Sequence, residues 1–531
     1  MSQLDKAHQT LRGVRERTDL TLRPTRHLKT TFTDFSGQEQ PLKVRYYQVQ
    51  GILHLVVMRR FLLGDDTGLG KTLEAIAALC YIWESDPDRK VIILPTKSSV
   101  EQWAAEFGKF TTGVKVIVNK GTPKKREDAR RRFTAATGPT VLVGGYRAMV
   151  QDFRHIQNWQ DFVLITDEAT AYKNPKTQVH QVCRHLSAVA DRTWALTATL
   201  IKNNLMEGFG IYQVVVPGLF QMSYNQFMLY YCLTRMQPIP RSNRQIPVIV
   251  GYLPQKIEEF KEVIDPYFLG RPKHKVATEL PVVVMRNVTV GLTPFQEEKY
   301  EEALEGILEL GDGEMRETTK LTSIIYCQQI VNHPELIQVE DAKSPKLEML
   351  VDLIKDGDFA DENVIVFSRF KKMINLIMPR LKAEKIKAVR GTGDENETQR
   401  SKAMADFQNP DAPERVICIT AAGAESINLQ AAKVIICYDT PWSAGDFLQL
   451  IGRMVRIGSV HDRCYVLHLV AKGQKQTIDH RVMDVLGKKM KLVEAVLGKR
   501  LKGEADEGMI AAENEISDLF TALRNDARGV K

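Results

Sequence analysis

A glycine-rich segment in the first part of the chain has the residue types that bind phosphate. Residues 65–72 read Asp-Asp-Thr-Gly-Leu-Gly-Lys-Thr, after an apolar run at 61–63 and before a helical stretch at 72–84. Glycines between a strand and a helix let backbone N–H groups surround a phosphate at the positive end of the helix. Lys71 adds a charge for the β- and γ-phosphates, and Thr72 adds a hydroxyl for Mg²⁺. The predicted nucleotide-binding residues here are Asp66, Thr67, Gly68, Leu69, Gly70, Lys71 and Thr72.

A pair of carboxylates follows a second apolar run. Residues 162–166 read Phe-Val-Leu-Ile-Thr, and Asp167 and Glu168 come directly after them. Downstream of a phosphate loop, such a pair suits hydrolysis, because one carboxylate holds Mg²⁺ and its neighbour takes the proton of the attacking water. We therefore predict Asp167 and Thr72 as metal ligands and Glu168 as the general base.

Hydrolysis also needs positive charge near the transition state, and a segment far along the chain supplies two arginines. Residues 449–458 read Gln-Leu-Ile-Gly-Arg-Met-Val-Arg-Ile-Gly. Arg453 and Arg456 are three residues apart, so they share a face if the segment is helical. In that case they suit the role of arginine fingers. A solvated basic helix face explains these two residues equally well when they are considered alone.

Short apolar strands alternate with helical stretches around the phosphate segment. Five runs between residues 41 and 224 are four to five residues long and rich in β-branched side chains. Helical patterns at 72–84 and 99–107 lie between some of them. This alternation predicts an α/β fold with a doubly wound parallel sheet. The five predicted strands are 90–94, 114–118, 141–144, 162–166 and 193–197.

The same alternation starts again near residue 344, after a region of charged amphipathic helices such as 255–264 and 293–310. The strands predicted there are 364–368, 387–390, 416–420, 434–438 and 464–470. We therefore predict two α/β lobes with doubly wound parallel sheets and a helical insertion between them. The predicted divisions are an N-terminal arm at 1–40, lobe 1 at 41–224, the insertion at 225–340, lobe 2 at 341–500 and a charged helical tail at 501–531.

Composition sets broad limits on the class of protein. The chain has 531 residues, 44% hydrophobic and 26% charged, which is the balance of globular proteins. Its seven cysteines form no C-x-x-C pair, so we expect buried thiols in a reducing cytoplasm and no zinc site. No apolar run reaches the roughly 18 residues of a membrane span, and we expect no membrane partner. We expect a cytoplasmic protein that lies at the nucleoid or, if it is viral, in the cytoplasm of the host cell. The formal charge of +8 suits a polyanionic partner.

In this order, the glycine-rich segment, the carboxylate pair and the segment with the two arginines resemble helicase superfamily two. Further segments resemble its Swi/Snf-like branch. Gln48, in Val-Arg-Tyr-Tyr-Gln, stands where the family's Q motif reads adenine. Residues 94–99 with Trp103 resemble motif Ia, and 196–200 resemble motif III. The resemblance covers about residues 42–497. Later landmarks are Asn-His-Pro at 332–334, Ser-Pro-Lys-Leu at 344–347, motif IV at 364–368, motif V at 420–429, Asp-Thr-Pro-Trp at 439–442 and motif VI at 449–458.

The resemblance implies two RecA-like lobes that bind and hydrolyse ATP with Mg²⁺ in the cleft between them, while duplex DNA is tracked across both. It implies that catalysis rests on Glu168, Gln449, Arg453 and Arg456. It implies that Thr197 and Thr199 couple ATP hydrolysis to movement along DNA. The residues that it implies for sequence-independent DNA contact are Lys97, Ser98, Ser99, Thr420, Asn428 and Trp442. Trp442 has a second interpretation, as a packing residue of the lobe, since large aromatic side chains are mostly buried.

A basic run at 120–132 has two interpretations as well. It is predicted to be helical from near Pro123, a favoured first residue of a helix. Its basic residues form either a DNA-binding face or a solvated face on the back of lobe 1.

The function predicted from these features is that of a DNA-stimulated ATP hydrolase, an ATP-dependent double-stranded DNA translocase that remodels DNA or DNA–protein complexes. One alternative is a strand-separating or annealing helicase that acts on forks or R-loops. Another is a module that recruits a protein partner, such as RNA polymerase, with ATP as a conformational ligand. The length leaves little beyond the motor itself, which favours a bacterial or bacteriophage source. We also expect a monomer.

Overall fold

The chain divides into two compact units in a computed structural model. The first comprises Met1–Tyr231, Gln255–Thr278 and Val496–Lys499, and the second comprises Cys232–Pro254, Glu279–Ala495 and Arg500–Lys531. The structure describes residues 3–33, 38–201, 204–238, 245–276, 280–310, 315–317, 319–339, 342–395, 397–409, 411–421, 423, 429–455, 459, 461–497 and 510–511.

The first unit contains a sheet of seven parallel strands. Its central strands are mostly apolar and buried at all but one end residue, as expected for strands covered on both faces. The five strands predicted for this region are confirmed, with ends shifted by at most one residue. In order across the sheet, the strands are Phe268–Leu269, Arg60–Leu63, Arg192–Leu196, Val163–Asp167, Lys90–Leu94, Thr140–Val143 and Lys115–Val118.

The second unit contains a sheet of six parallel strands. Five of them confirm the strands predicted after residue 344. The predicted fold class, two parallel-sheet α/β lobes, is therefore confirmed. In order across the sheet, the strands are Val282–Gly291, Arg463–Lys472, Val434–Cys437, Val364–Phe367, Val416–Ile419 and Ala388–Gly391.

Residues 225–340, predicted as a helical insertion, supply strands to both sheets. Phe268–Leu269 pairs in parallel with the strand Arg60–Leu63 that precedes the glycine-rich loop. Val282–Gly291 pairs over its whole length with Arg463–Lys472. The described part of this region is therefore not a separate helical body but is integrated into the two α/β units.

The helix predicted at 293–310 is shorter than its polar and apolar pattern indicates. It covers Pro294–Glu305 and ends at Gly306, which adopts a φ of 92°. Glycine takes this left-handed conformation without a steric cost and commonly terminates helices. The extension to residue 310 is therefore wrong, since Ile307–Glu309 forms a strand with Met315–Glu317.

Each sheet is accompanied by helices, and the remaining elements are turns of 3₁₀-helix and further strands. The helices of the first unit are Gln3–Glu16, Tyr46–Val57, Lys71–Ser85, Val100–Phe110, Pro123–Ala135, Tyr146–Ile156, Gln178–Val189, Leu205–Val215, Tyr224–Tyr231, Pro254–Ile264 and Lys273–Val276. Those of the second are Pro294–Glu305, Lys320–Asn332, Pro345–Lys355, Lys371–Ala383, Glu397–Gln408, Ala444–Met454 and Ile478–Leu497. Turns of 3₁₀-helix lie at Lys97–Ser99, Ala169–Tyr172, Asp265–Tyr267 and Pro334–Ile337. The remaining strands are Thr31–Thr33 with Glu39–Pro41, and Gln245–Tyr252 between Leu233–Pro238 and Ile510–Ala511.

All seven cysteines are buried and none is in a disulfide. Burial raises the pKa of several of these thiols, that of Cys80 to about 12, so they stay protonated at neutral pH. Within the part of the chain that the structure describes, no helix combines the length and the apolar character needed to cross a membrane. Of the tail predicted at 501–531, only Ile510–Ala511 lies among the described residues, as a short strand.

The N-terminal helix is fixed to the first unit through a buried histidine. Arg15 donates from Nε to His54 Nε2 at 3.3 Å, and His54 Nδ1 donates to the Gln50 carbonyl oxygen at 2.7 Å. Arg15 also donates to the Asp265 carboxylate at 2.7 Å. Burial, and then the charge of Arg15, lower the pKa of His54 to about 4. His54 is therefore neutral in the folded protein at pH 7.

This histidine predicts a specific pH dependence of stability. His54 has a pKa near 6.5 when unfolded and about 4 when folded, so the unfolded chain binds the extra proton between these values. Stability from this group is present above pH 6.5 and is lost as the pH falls towards 4, by up to about 1.4 kcal/mol per pH unit. Urea unfolding of His54→Gln at several pH values is expected to show a flatter dependence over this window. An unchanged pH dependence in that variant would contradict the assignment.

Candidate active site

Three strands of the first sheet end side by side at one edge. Leu63, Leu196 and Asp167 are partners in register across neighbouring parallel strands. Because the carboxyl ends of parallel strands lie at the same edge, the glycine-rich loop, Thr197 and Glu168 all begin there. The parallel register thus brings Leu63 beside two strand ends that lie more than 100 residues later in the chain.

The glycine-rich loop closes around the ammonium group of Lys71. Gly68 and Gly70 have φ angles of 83° and 91°, which only glycine adopts without strain. Lys71 Nζ donates to the carbonyl oxygens of Asp65 at 2.9 Å and Asp66 at 3.2 Å. The helix Lys71–Ser85 begins directly after the loop, so its N-terminal N–H groups lie beside it. The predicted order of strand, loop and helix is therefore present, and phosphate binding by this loop stays a prediction.

Gln48 lies against this loop. Its Nε2 donates to the Leu69 carbonyl oxygen at 3.0 Å, and its Oε1 accepts from the Arg45 backbone N–H at 3.0 Å. Tyr47 donates its hydroxyl to the same Leu69 carbonyl at 3.3 Å. A Cβ atom on Gly70 would lie 2.4 Å from Gln48 Nε2, so glycine is required for this contact. Adenine recognition by Gln48 stays a prediction.

A buried charge network, which the sequence did not predict, lies beneath the loop. Arg271 forms ion pairs with the fully buried carboxylates of Asp65 and Glu74. Its backbone N–H and its Nε each donate to Asp65 Oδ1 at 2.9 Å. Burial, reinforced by the charge of Asp65, raises the pKa of Glu74, and Arg271 opposes this rise. Asp65, which stands where a strict P-loop has glycine, therefore anchors the loop to a segment 206 residues away.

Asp167 is the last residue of the strand Val163–Asp167, and Glu168 follows it directly. The Trp103 indole N–H donates to Asp167 Oδ2 at 2.9 Å, and the Glu168 backbone N–H donates to Asp167 Oδ1 at 3.0 Å. Partial burial, and then the charge of Glu168, raise the pKa of Asp167 to about 6, while Trp103 and Lys71 oppose the rise. Glu168 has a φ of 54°, an uncommon conformation for a residue with a side chain. Backbone strain and a shifted pKa together are typical of functional sites.

The two threonines predicted to couple ATP hydrolysis to DNA movement hydrogen-bond to each other. Thr197 donates its hydroxyl to the Thr199 carbonyl oxygen at 3.1 Å and accepts from the Thr199 backbone N–H at 3.2 Å. The Thr197 backbone N–H donates to the Leu63 carbonyl oxygen at 3.1 Å. Thr197 thereby connects this turn to the strand that enters the glycine-rich loop. The coupling role itself stays a prediction.

The residues at this edge suit an ATP–Mg²⁺ pair. The loop offers backbone N–H groups and one ammonium group, which bind phosphate oxygens. Thr72 and Asp167 offer the hard oxygen ligands that Mg²⁺ prefers. Each oxygen of Asp167 accepts one N–H donor and retains the capacity to accept a second partner.

The nucleic-acid candidates of the first unit differ in exposure. Lys97 and Ser98 are exposed in the turn Lys97–Ser99, while Ser99 is buried. The basic run forms the helix Pro123–Ala135, as predicted. Its residues Arg126 and Arg130 pair with the buried carboxylate of Asp152 at 3.1 and 2.7 Å, so their side chains are directed into the unit. Lys124, Lys125, Arg131 and Arg132 are exposed on the same helix.

The catalytic candidates of the second unit lie on one helix as far as they are described. Gln449 and Arg453 are both partly buried on Ala444–Met454. The Arg453 carbonyl oxygen accepts from the Leu429 N–H at 3.0 Å, which ties the helix end to the segment predicted as motif V. The helix ends at Met454. Arg456, predicted to share a helical face with Arg453, and Asn428 lie outside the described residues.

Two nucleic-acid candidates of the second unit have contacts within that unit. Thr420 donates its hydroxyl to the Thr392 carbonyl oxygen at 3.0 Å. The Trp442 ring lies 5.0 Å from the guanidinium carbon of Arg369 and packs against a buried apolar cluster. Packing inside the unit, the second interpretation of Trp442, is therefore favoured.

The landmark segments before the second sheet meet in a buried polar cluster. Lys346 Nζ donates to Asn332 Oδ1 at 3.1 Å and to Asp479 Oδ2 at 2.7 Å. Ser344 and Tyr438 both donate hydroxyl groups to the Asn332 carbonyl oxygen. These landmarks are therefore structural, and Asp479 completes the cluster without having been predicted.

A wider comparison places the chain among known ATPases. It matches the SNF2-related domain over residues 47–336 and the Helicase conserved C-terminal domain over residues 345–458. The two parallel α/β units with these domains define an ATPase of helicase superfamily two, whose members use ATP. Because the first match spans more than half of the chain, the protein belongs to the SNF2-related family.

Individual relatives are distant. The ISWI chromatin-remodeling complex ATPase ISW2 of Saccharomyces cerevisiae is 26% identical over 479 residues, which cover 86% of this chain and 41% of that protein. The ATP-dependent DNA helicase DDM1 of Arabidopsis thaliana is 24% identical over 515 residues, or 91% of this chain and 66% of that protein. The chain thus spans less than two thirds of these relatives. The Sulfolobus solfataricus SWI2/SNF2 ATPase core in complex with dsDNA is 23% identical, with a TM-score of 0.41, over 91% of this chain and all of that one.

Proposed function

We propose that this protein is an ATP-dependent motor that moves along double-stranded DNA and remodels DNA or DNA–protein complexes. The observation that carries the proposal is the register of the first sheet, which aligns the ends of the strands before the glycine-rich loop, Thr197 and Glu168 at one edge. Membership of the SNF2-related family and the net charge of +8 support a DNA substrate.

The chain's own residues divide the work of hydrolysis in this proposal. The loop N–H groups and Lys71 bind the phosphates, and Thr72 and Asp167 hold Mg²⁺, which neutralises phosphate charge. Glu168 orients the attacking water and accepts its proton. From the second unit, Gln449, Arg453 and Arg456 contribute by resemblance, the arginines by stabilising charge that develops on the transferred phosphoryl group.

The proposed contacts bind DNA independently of its base sequence. Lys97 and Ser98, exposed at the turn before the helix Val100–Phe110, suit phosphate oxygens. Asn428, Thr420 and Trp442 remain part of the proposal by resemblance, although Thr420 and Trp442 already have partners inside the second unit. A protein partner, a monomeric state, a cytoplasmic location and a bacterial or viral source stay predictions.

Steady-state ATP hydrolysis tests this proposal. Turnover is measured at low salt with no nucleic acid, with single-stranded DNA, with blunt duplex DNA and with RNA. We expect strong stimulation by the blunt duplex that weakens as salt rises, because phosphate contacts release counterions. Stimulation by single strands or RNA alone would favour the strand-separating helicase. Nucleotide binding without turnover under any condition would favour the partner-recruiting module.

A further inference from the structure

Trp103 contacts the carboxylate proposed to hold Mg²⁺. It lies in the first turn of the helix Val100–Phe110, with 1% of its surface exposed. Its Nε1–H donates to Asp167 Oδ2 at 2.9 Å. The indole N–H is a donor only, so this contact requires an oxygen acceptor at that point. Trp103 comes from the helix that follows the neighbouring strand, Lys90–Leu94, and the turn Lys97–Ser99, and not from the strand that ends at Asp167.

The Trp103 N–H is a fixed donor, whereas the Asp167 carboxylate that accepts from it can rotate. The terminal torsion of an aspartate side chain is broad, so the carboxylate plane is set by its partners. The second partner, the Glu168 backbone N–H at 3.0 Å, belongs to the next residue of the chain and moves with Asp167. Trp103 is instead held in the core of the unit beside Phe107, with the ring centroids 6.3 Å apart. Trp103 therefore fixes the direction of the Asp167 oxygens from a different element of the unit.

We propose that Trp103 is a positioning residue that orients Asp167 for Mg²⁺. This inference rests on the proposed function, in which Asp167 is a metal ligand. Partners that orient metal ligands typically contribute 10–100-fold to metal affinity or activity. Tyr146 adds a second aromatic anchor by donating its hydroxyl to the Asp167 carbonyl oxygen at 2.7 Å. Trp103 thus fixes the carboxylate, and Tyr146 fixes its backbone.

The test compares two buried tryptophans in the full chain. Trp103→Phe keeps an aromatic ring and removes the N–H donor. Trp83→Phe is the matched control, because Trp83 is also 1% exposed and donates to a backbone carbonyl, that of Arg89, at 2.9 Å. Equilibrium binding of a fluorescent ATP analogue is titrated with Mg²⁺, and turnover is measured separately. Trp103→Phe is expected to raise the Mg²⁺ concentration at half-saturation about 10-fold or more, with kcat lowered about 10–100-fold, while the control changes neither.

Further variants distinguish a failure of this inference from a failure of the proposed metal site. Trp103→His retains a ring N–H, so its Mg²⁺ requirement is expected to lie between those of the wild type and Trp103→Phe. An equal requirement in the His and Phe variants would overturn the inference, even if both lose thermal stability. If Asp167→Asn raises the Mg²⁺ requirement but Trp103→Phe behaves like Trp83→Phe, the inference fails and the proposed site stands. If Asp167→Asn leaves the Mg²⁺ requirement unchanged, the proposed metal site itself fails.

Discussion

Replacement of Glu168 by glutamine is expected to lower ATP turnover by about 10²–10⁴-fold, the usual contribution of a general base. Glutamine has the size and shape of glutamate, so the strained backbone at this position, with its φ of 54°, is retained. The substitution removes only the group that accepts a proton from water. Nucleotide binding is expected to persist, because Lys71 and the glycine-rich loop are unchanged. Turnover at saturating ATP and duplex DNA and the affinity for ATP are the two measurements.

An exposed glutamate of the same unit provides the control for this change. Glu258 pairs with Lys261 at 2.7 Å on the surface of the helix Pro254–Ile264, with 61% of its side chain exposed. Glu258→Gln is expected to leave turnover unchanged, since exposed pairs contribute little. Retention of wild-type turnover in Glu168→Gln would show that another group activates the water, and the assignment of the base would fail.

Replacement of Arg271 by alanine is expected to destabilise the first unit by about 3–5 kcal/mol, because it leaves two buried carboxylates without a counter-ion. Asp65 and Glu74 are both fully buried, and Arg271 forms ion pairs with each of them. ATP affinity is expected to fall as well, since the Asp65 carbonyl oxygen accepts from Lys71 in the phosphate loop. Urea unfolding and ATP binding measure the two effects.

A surface arginine with two carboxylate partners provides the matched comparison. Arg380 pairs with Glu348 and Glu384, both at 2.6 Å, in a solvated setting. Arg380→Ala is expected to cost far less stability than Arg271→Ala, because water solvates the remaining charges. Adding Asp65→Asn and Glu74→Gln to the Arg271→Ala variant is expected to recover part of the loss. A loss in Arg271→Ala no larger than that in Arg380→Ala would contradict the account.

Most of the fold was predictable from local patterns. The central strands are short runs of Val, Ile and Leu, such as Lys90–Leu94, and these are characteristic of parallel strands buried on both faces. The glycine-rich loop and the carboxylate pair were predictable because their chemistry depends on adjacent residues. Where a conformation depended on one residue, the pattern failed, as at Gly306, whose positive φ ends a helix that the polar and apolar periodicity extends to residue 310.

Contacts between distant segments were not predictable. The strands Phe268–Leu269 and Val282–Gly291 complete two different sheets, and their parallel partners lie about 200 residues before one and 180 after the other. The ion pairs of Arg271 with Asp65 and Glu74 join residues about 200 positions apart, and no local pattern indicates them. Trp103 was identified by resemblance alone, and only the structure shows its N–H on Asp167. Such roles depend on which elements the fold brings together.

Displacement of a third strand from a blunt DNA triplex tests the central claim most directly, because a motor that moves along an intact duplex removes this strand without separating the duplex beneath it. The wild-type protein is expected to release the third strand in an ATP-dependent reaction and to leave a forked duplex paired. Glu168→Gln is expected to bind the same DNA without releasing the strand. Failure to release the third strand, together with separation of the forked duplex, would contradict the translocase and support a strand-separating helicase.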